Sequence, residues 1–260
     1  MAIVAARVDG AGNNSSDSGA VFLFTFDDDS AFQNPTHVGT IGKGYTGTYS
    51  LDLDDLTSGD YIWRTALDGD GDRLVLSQLD ATSGGVDSGS VFTIKFDDTN
   101  FTNPQRVGVI GAFTGAAGYG NSPTVLSNDL DLYANSINQS YPKYSPDVEL
   151  NADGSRMALH YMDYDQGGDA IHLISFSDTN FSSPSLTGRI GGDYTGAKDL
   201  DLSSDAAISQ NRILSSQVGF GWDIELSSDA TKLVALYNCL LYTSDAADER
   251  SSVDLGGRRI

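Results

Sequence analysis

Asp68, Asp70 and Asp72, in the run LDGDGDR, place a carboxylate at every second residue. That spacing lets a hard, oxygen-preferring cation such as Ca²⁺ collect its ligands. The run also reads as a charged hairpin turn with Arg73 directly behind it, and both readings stand at this point. It is not a complete EF-hand loop, because position twelve of such a loop would fall on Leu79 rather than a glutamate. The aligned stretches keep only the middle acid: Asn151, Asp153 and Ser155, then Ser227, Asp229 and Thr231. The runs Asp27-Asp28-Asp29 and Asp97-Asp98 read as solvated turns. His37, His160 and His172 are isolated, without paired metal-ligand spacing. His172 stands where equivalent segments carry Phe22 and Phe92, so it reads as a filler of an aromatic position. No GxSxG turn and no GxxxxGK[ST] loop occurs. GKGYTG at Gly42 follows a strand and leads to no helix, which phosphate binding at a helix terminus requires. Glycoside hydrolysis needs two convergent carboxylates. Glu149 and Glu225 align with each other and with Ala66, so they read as one repeated position. No catalytic residue is expected.

The elements that carry these residues recur. SGAVFLFTFDDDSAFQNPTHVGTIGKGYTG from Ser18, SGSVFTIKFDDTNFTNPQRVGVIGAFTG from Ser88 and GDAIHLISFSDTNFSSPSLTGRIGGDYTG from Gly168 are copies of one unit, and each runs on to a Leu-Asp pair. YIWRTALDGDGDRLVLSQ from Tyr61, YSPDVELNADGSRMALHY from Tyr144 and FGWDIELSSDATKLVALY from Phe220 are copies of another. The register places Met1, Leu74, Met157 and Leu233 at one position, with spacings of 73, 83 and 76 residues. Each repeat predicts four strands. The first two are joined by a turn at Asp70-Gly71, Asp153-Gly154 or Asp229-Ala230. In the third strand Val21, Leu23 and Thr25 alternate with Phe22, Phe24 and Phe26. Both sides are bulky, which predicts packing on two faces. Phe32, Phe101 and Phe181 are expected to fold back under the following turn, and Phe22, Phe92, Trp63, Trp222 and Phe220 to fill the seams between units.

The expected fold class is therefore all-β: antiparallel four-stranded repeats of about 73–83 residues, forming a partial β-propeller in which neighbouring blades bury what one blade cannot. A β-solenoid-like array is the alternative. The units run roughly 1–60, 61–143 and 144–219, with an incomplete one at 220–238. Composition agrees. Of 36 acidic residues only Glu149, Glu225 and Glu249 are glutamates, and there are 29 glycines, so turn formers outweigh helix formers. The net charge of −21 opposes nucleic-acid binding, and no apolar run reaches membrane-spanning length.

FGWDIELSSDATKLVALY resembles the first half of an FG-GAP repeat, the blade unit of integrin-alpha-type propellers. The longer SGAVFLFTF…GTIGKGYTG unit is similar to repeats of large bacterial haemagglutinin-like or adhesin-like surface proteins. Phe-Gly survives only at Phe220-Gly221, and Gly-Ala-Pro is absent. The resemblance implies a secreted or cell-surface adhesion module or binding scaffold, with calcium as the possible cofactor at Asp68, Asp70 and Asp72. A propeller glycosidase and a calcium-stabilised structural module are the alternatives. Tyr119, Tyr133, Tyr141 and Tyr144, in or beside the insertion that starts at Gly115, could stack on a carbohydrate or protein partner. Residues 239–260, CLLYTSDAADERSSVDLGGRRI, share no motif with the repeats and resemble translated sequencing-adapter read-through. They are expected to be a non-native, disordered tail.

Overall fold

The computed structural model describes residues 2–5, 19–27, 32–53, 61–79, 90–111, 128–132, 144–163, 168–191, 194–202 and 223–236. These residues hold strands and no helix. The first sheet contains β1 (Ala2–Ala5), β2 (Ala20–Thr25), β3 (Thr36–Gly42) and β4 (Leu51–Asp52), adjacent in that order. The second contains β5 (Tyr61–Leu67), β6 (Arg73–Leu79), β7 (Ser90–Lys95), β8 (Gln105–Gly111) and β9 (Leu130–Asp131). The third contains β10 (Tyr144–Leu150), β11 (Arg156–Asp163), β12 (Gly168–Ser175), β13 (Ser185–Gly191) and β14 (Leu200–Asp201). The fourth is the hairpin of β15 (Asp223–Leu226) and β16 (Leu233–Leu236). Residues 239–260, with Cys239, lie outside the described residues.

In the second and third sheets four long strands are joined by a short fifth, and the first sheet ends in the same short strand. The Leu-Asp pair that follows each long unit lies parallel to the fourth strand, with Leu51 opposite Ile41, Leu130 opposite Ile110 and Leu200 opposite Ile190. All other neighbours are antiparallel and consecutive in the chain, unlike the parallel rungs of a solenoid. β1 takes the place of a second strand: Ile3 faces Phe22 as Leu76 faces Phe92 and Leu159 faces His172.

The hydrophobic core lies between sheets. Val21, Leu23, Ile41 and Leu53 of the first sheet pack with Leu74, Leu76, Phe92 and Ile94 of the second. From its opposite face, Val75, Val91, Ile110 and Leu132 pack with Val148, Met157, Leu159 and Ile174 of the third. Ala158 and Ile171 then meet Ile224 of the fourth. β7 is thus covered on both faces, and Ser90 to Ile94 are all buried. Each unit buries its apolar side chains only by having neighbours.

Two local devices repeat. The third and fourth strands slip register after Leu23, Thr93 and Leu173, a β-bulge at the same place in each copy. Beside it, Gly39, Gly108 and Gly188 lie under the backbone of the segment entering the fifth strand. A Cβ there would sit closer than 3.0 Å to the carbonyl oxygens of Tyr49, Asn128 and Lys198. Only glycine admits that approach.

The turn phenylalanines fold back in two of three copies. Phe101 lies edge-on to Phe96 at 5.0 Å and Phe181 edge-on to Phe176 at 4.9 Å. Both are buried, although their φ angles of 64° and 61° fall in the left-handed region. Ring burial offsets that backbone strain. Phe32 keeps the edge contact, with Phe26 at 5.3 Å, yet is 69% exposed. Its equivalents are covered by a preceding sheet, and no described sheet lies there. Trp63 departs from the expected seam role. The pairing of β5 with β6 skips it between Ile62 and Arg64, so it is the extra residue of a bulge and is 41% exposed. Phe220 and Trp222 lie outside the described residues.

Candidate functional site

The hairpin turns are built on one side-chain acceptor. Asp68 is buried, and its Oδ1 accepts from the amides of Gly71 at 2.8 Å, Asp72 at 3.1 Å and Arg73 at 3.1 Å. Burial raises its pKa, opposed by those amides. The equivalent position in the third unit is Asn151, whose Oδ1 accepts from Arg156 N at 2.8 Å. In the fourth unit it is Ser227, whose Oγ accepts from Lys232 N at 2.9 Å. Three residue types thus do one job, closing a turn that then needs a left-handed residue: Gly71, Gly154 and Ala230, with φ of 82°, 69° and 55°. Asp70 is exposed, and Asp72 pairs with Arg73 at 3.1 Å. Asp68, Asp70 and Asp72 do not converge, and among the described residues no three acidic, histidine or cysteine side chains form a metal-ligand group.

These turns also join the units. Gly69 N donates to Ala152 O at 2.8 Å, and Ala152 N to Ser228 O at 3.0 Å, so three turns stack in series. Arg73 reaches across the same seam. Its Nε donates to Thr179 O at 2.5 Å and its guanidinium to Asn180 Oδ1 at 2.9 Å. The neighbouring acid runs serve loops as well. Asp98 and Asp178 accept from the amides two and four residues on. The pKa of Asp98 is lowered by its bonds to the Thr102 hydroxyl and amide.

The acids that behave differently lie on the first strands, which stand side by side as β5, β10 and β15. Arg64, Asp147 and Asp223 occupy one register position; Ala66, Glu149 and Glu225 occupy another, two residues on. Asp147 is buried. It accepts from Val148 N at 3.0 Å and, across to the fourth sheet, from Ile224 N at 2.7 Å. Arg64 Nε lies 3.9 Å from it on the other side. Desolvation nevertheless raises the Asp147 pKa to about 6, against the pull of those amides and of Arg64. Glu149 is pushed to about 7, first by desolvation and then by Asp147, Glu225 and Asp223. Asp223 and Glu225 are exposed, while half-buried Glu149 holds a proton up to near neutrality. Such a pairing can accept a cationic group, or donate a proton from Glu149. Glutamate spacing alone marked these residues as one repeated position. Burial, and the amide of a residue 77 positions away, make Asp147 different, and no local pattern carries that signal.

His160 and His172 are core residues. His172 faces Leu159 and His160 faces Ile171 across β11 and β12. Desolvation lowers the His160 pKa to about 3, with His172 adding to it. Desolvation, then Arg189, lowers that of His172 to about 4. Both are neutral at physiological pH. His37 is exposed and lies 5.7 Å and 5.3 Å from the rings of Phe22 and Phe24. Tyr144 opens β10 opposite Met162; Tyr119, Tyr133 and Tyr141 lie outside the described residues. No helix among the described residues is long and apolar enough to cross a membrane. Comparison with protein-family models, curated proteins and solved structures gave no match.

Proposed function

We propose that this chain is a run of propeller-like blades from a bacterial surface or secreted protein, acting in adhesion or as a binding scaffold. The observation that carries the reading is the use of its recurring polar residues. Position by position, Asp68, Asn151 and Ser227, then Asp98 and Asp178, accept backbone amides that close turns. The repeated chemistry builds the frame and leaves recognition to segments that differ between units. The adjacency of β5, β10 and β15 is what the innermost strands of successive blades would show. The long insertion from Gly115, with Tyr119, Tyr133, Tyr141 and Tyr144, is the segment assigned to a carbohydrate or protein ligand, because aromatic faces stack on sugars and anchor interfaces. Binding of the labelled chain to arrays of glycans and extracellular proteins tests this. Retention of a ligand by the wild type and its loss from the fourfold Tyr→Ala variant is the supporting result.

A glycosidase is the second reading, favoured by one observation. Burial gives Glu149 a pKa near 7, that of a general acid, whereas the second unit has Ala66 at the same position and the fourth repeats the acid as exposed Glu225. Turnover of chromogenic glycosides that disappears in Glu149→Gln would establish it.

A further inference from the structure

The middle acids of the three hairpin turns are not held alike. Asp153 Oδ1 accepts from the Asn151 side-chain amide at 2.9 Å and from Ser155 N at 2.8 Å. Asp229 Oδ1 accepts from Ser227 Oγ at 2.7 Å, Thr231 N at 3.1 Å and Thr231 Oγ1 at 2.9 Å. Both carboxyls are thus fastened by the residues two before and two after. At Asp70 those offsets hold Asp68 and Asp72, whose carboxylates only accept, and the Asp72 amide is drawn to Asp68 Oδ1 instead. Asp70 is exposed, and among the described residues no donor holds its carboxyl. The residue that follows is Gly71, which has no side chain to shield its amide nitrogen. That nitrogen donates to Asp68 Oδ1 at 2.8 Å, and burial raises the pKa of Asp68, which makes it the better base. At Gly154 the amide donates instead to the Asn151 carbonyl, and Gly69 N is bonded to Ala152 O.

We propose that Asp70-Gly71 is a site of aspartate isomerisation, with Asp68 as the base. Gly71 N attacks Cγ of the Asp70 carboxyl group as its proton passes to Asp68. The proton returns to the departing hydroxyl, so water leaves and a five-membered succinimide closes. Water then adds to either carbonyl of the ring. Opening at the backbone carbonyl gives isoaspartate, and opening at Cγ restores aspartate, so the composition is unchanged. Holding nucleophile, base and carboxyl in one turn supplies the proximity that such a step needs. The product carries an extra backbone carbon in the turn that bonds Ala152 through Gly69, so the change falls on the seam between the second and third sheets.

Incubation of the folded chain in mildly acidic buffer, followed by tryptic peptide mapping, tests this. Cleavage after Arg64 and Arg73 isolates Asp68 and Asp70, and cleavage after Lys143 and Arg156 isolates Asp153. Electron-transfer fragmentation breaks the extra backbone carbon–carbon bond of isoaspartate and so assigns its position. Isoaspartate should accumulate at position 70 several-fold faster than at 153 or 68. Asp72→Thr and Asp68→Ser install residues that the fourth turn already uses. The first fastens the Asp70 carboxyl and the second removes the base, so each should slow the reaction several-fold, with circular dichroism matching the wild type. In guanidinium chloride the turns are lost, and positions 70 and 153 should react at similar rates. Equal accumulation at 153 in the folded chain, none at 70, a rate at 70 unchanged or raised in either variant, or a difference that persists in denaturant overturns the proposal.

Discussion

Asp68, Asn151 and Ser227 form a natural substitution series at one turn position. What the position requires is an acceptor oxygen within reach of the amide five residues on. Asp68→Asn should therefore be tolerated, whereas Asp68→Ala removes the side-chain acceptor of three amides, leaving only Gly71 N a partner in the Asp68 carbonyl, and should cost about 1–3 kcal/mol, read by urea denaturation. Glu149 offers a second residue-scale test. Its pKa is raised from the ordinary 4.5 to about 7 in the folded chain. The folded state then binds the proton more tightly than the unfolded one. The contribution to stability is full below pH 4.5 and is lost as the pH rises through 7. Glu149→Gln should raise the melting midpoint relative to wild type at pH 8 and leave the two equal near pH 4. A variant advantage that does not shrink on acidification would contradict this assignment. The sequence shows that Glu149 and Glu225 share a position, because alignment needs only spacing. It does not show that Asp147 is buried between sheets, because that depends on which strand arrives 77 residues later.

The element scale is where the repeat was most readable. Asp-Gly turns, alternating strands and the returning phenylalanines follow from rules of period and turn chemistry that act over a few residues. The fifth strand was marked only by its Leu-Asp pair, since two residues carry no periodicity and a parallel partner is not local. Trp63 departs from its expected seam position for a similar reason. Aromatic character suggests burial, but a bulge between Ile62 and Arg64 turns that side chain out of the pattern. The glycine beside the third-to-fourth-strand bulge is the element's tightest constraint. Gly108→Ala would drive a Cβ into the backbone carbonyl of Asn128. It should destabilise the chain by about 3 kcal/mol, and hydrogen exchange should show the loss centred on β8 and β9.

At the scale of the whole molecule, stability is distributed over seams. Among the described residues, the second and third sheets pack against neighbours on both faces, and the first and fourth on one. Arg73 illustrates how these seams are locked: its sequence neighbours suggested a partner for turn acids, yet it also holds Thr179 and Asn180 of the next unit. A contact of that range is invisible to any window along the chain. The net charge of −21 opposes this compaction by self-repulsion. Moderate salt screens such repulsion, so the melting midpoint should rise between low and about 0.15 M ionic strength; a fall would mean that attractive pairs dominate instead. The central claim is that repeated acids build the frame and the divergent insertion recognises a ligand. It is tested most directly by measuring array binding and glycoside turnover side by side for the wild type, the fourfold variant of Tyr119, Tyr133, Tyr141 and Tyr144, and Glu149→Gln. Expected are binding without turnover in the wild type, loss of binding in the tyrosine variant, and retained binding in Glu149→Gln. Turnover by the wild type that vanishes in Glu149→Gln, or binding that survives loss of all four tyrosines, would contradict it.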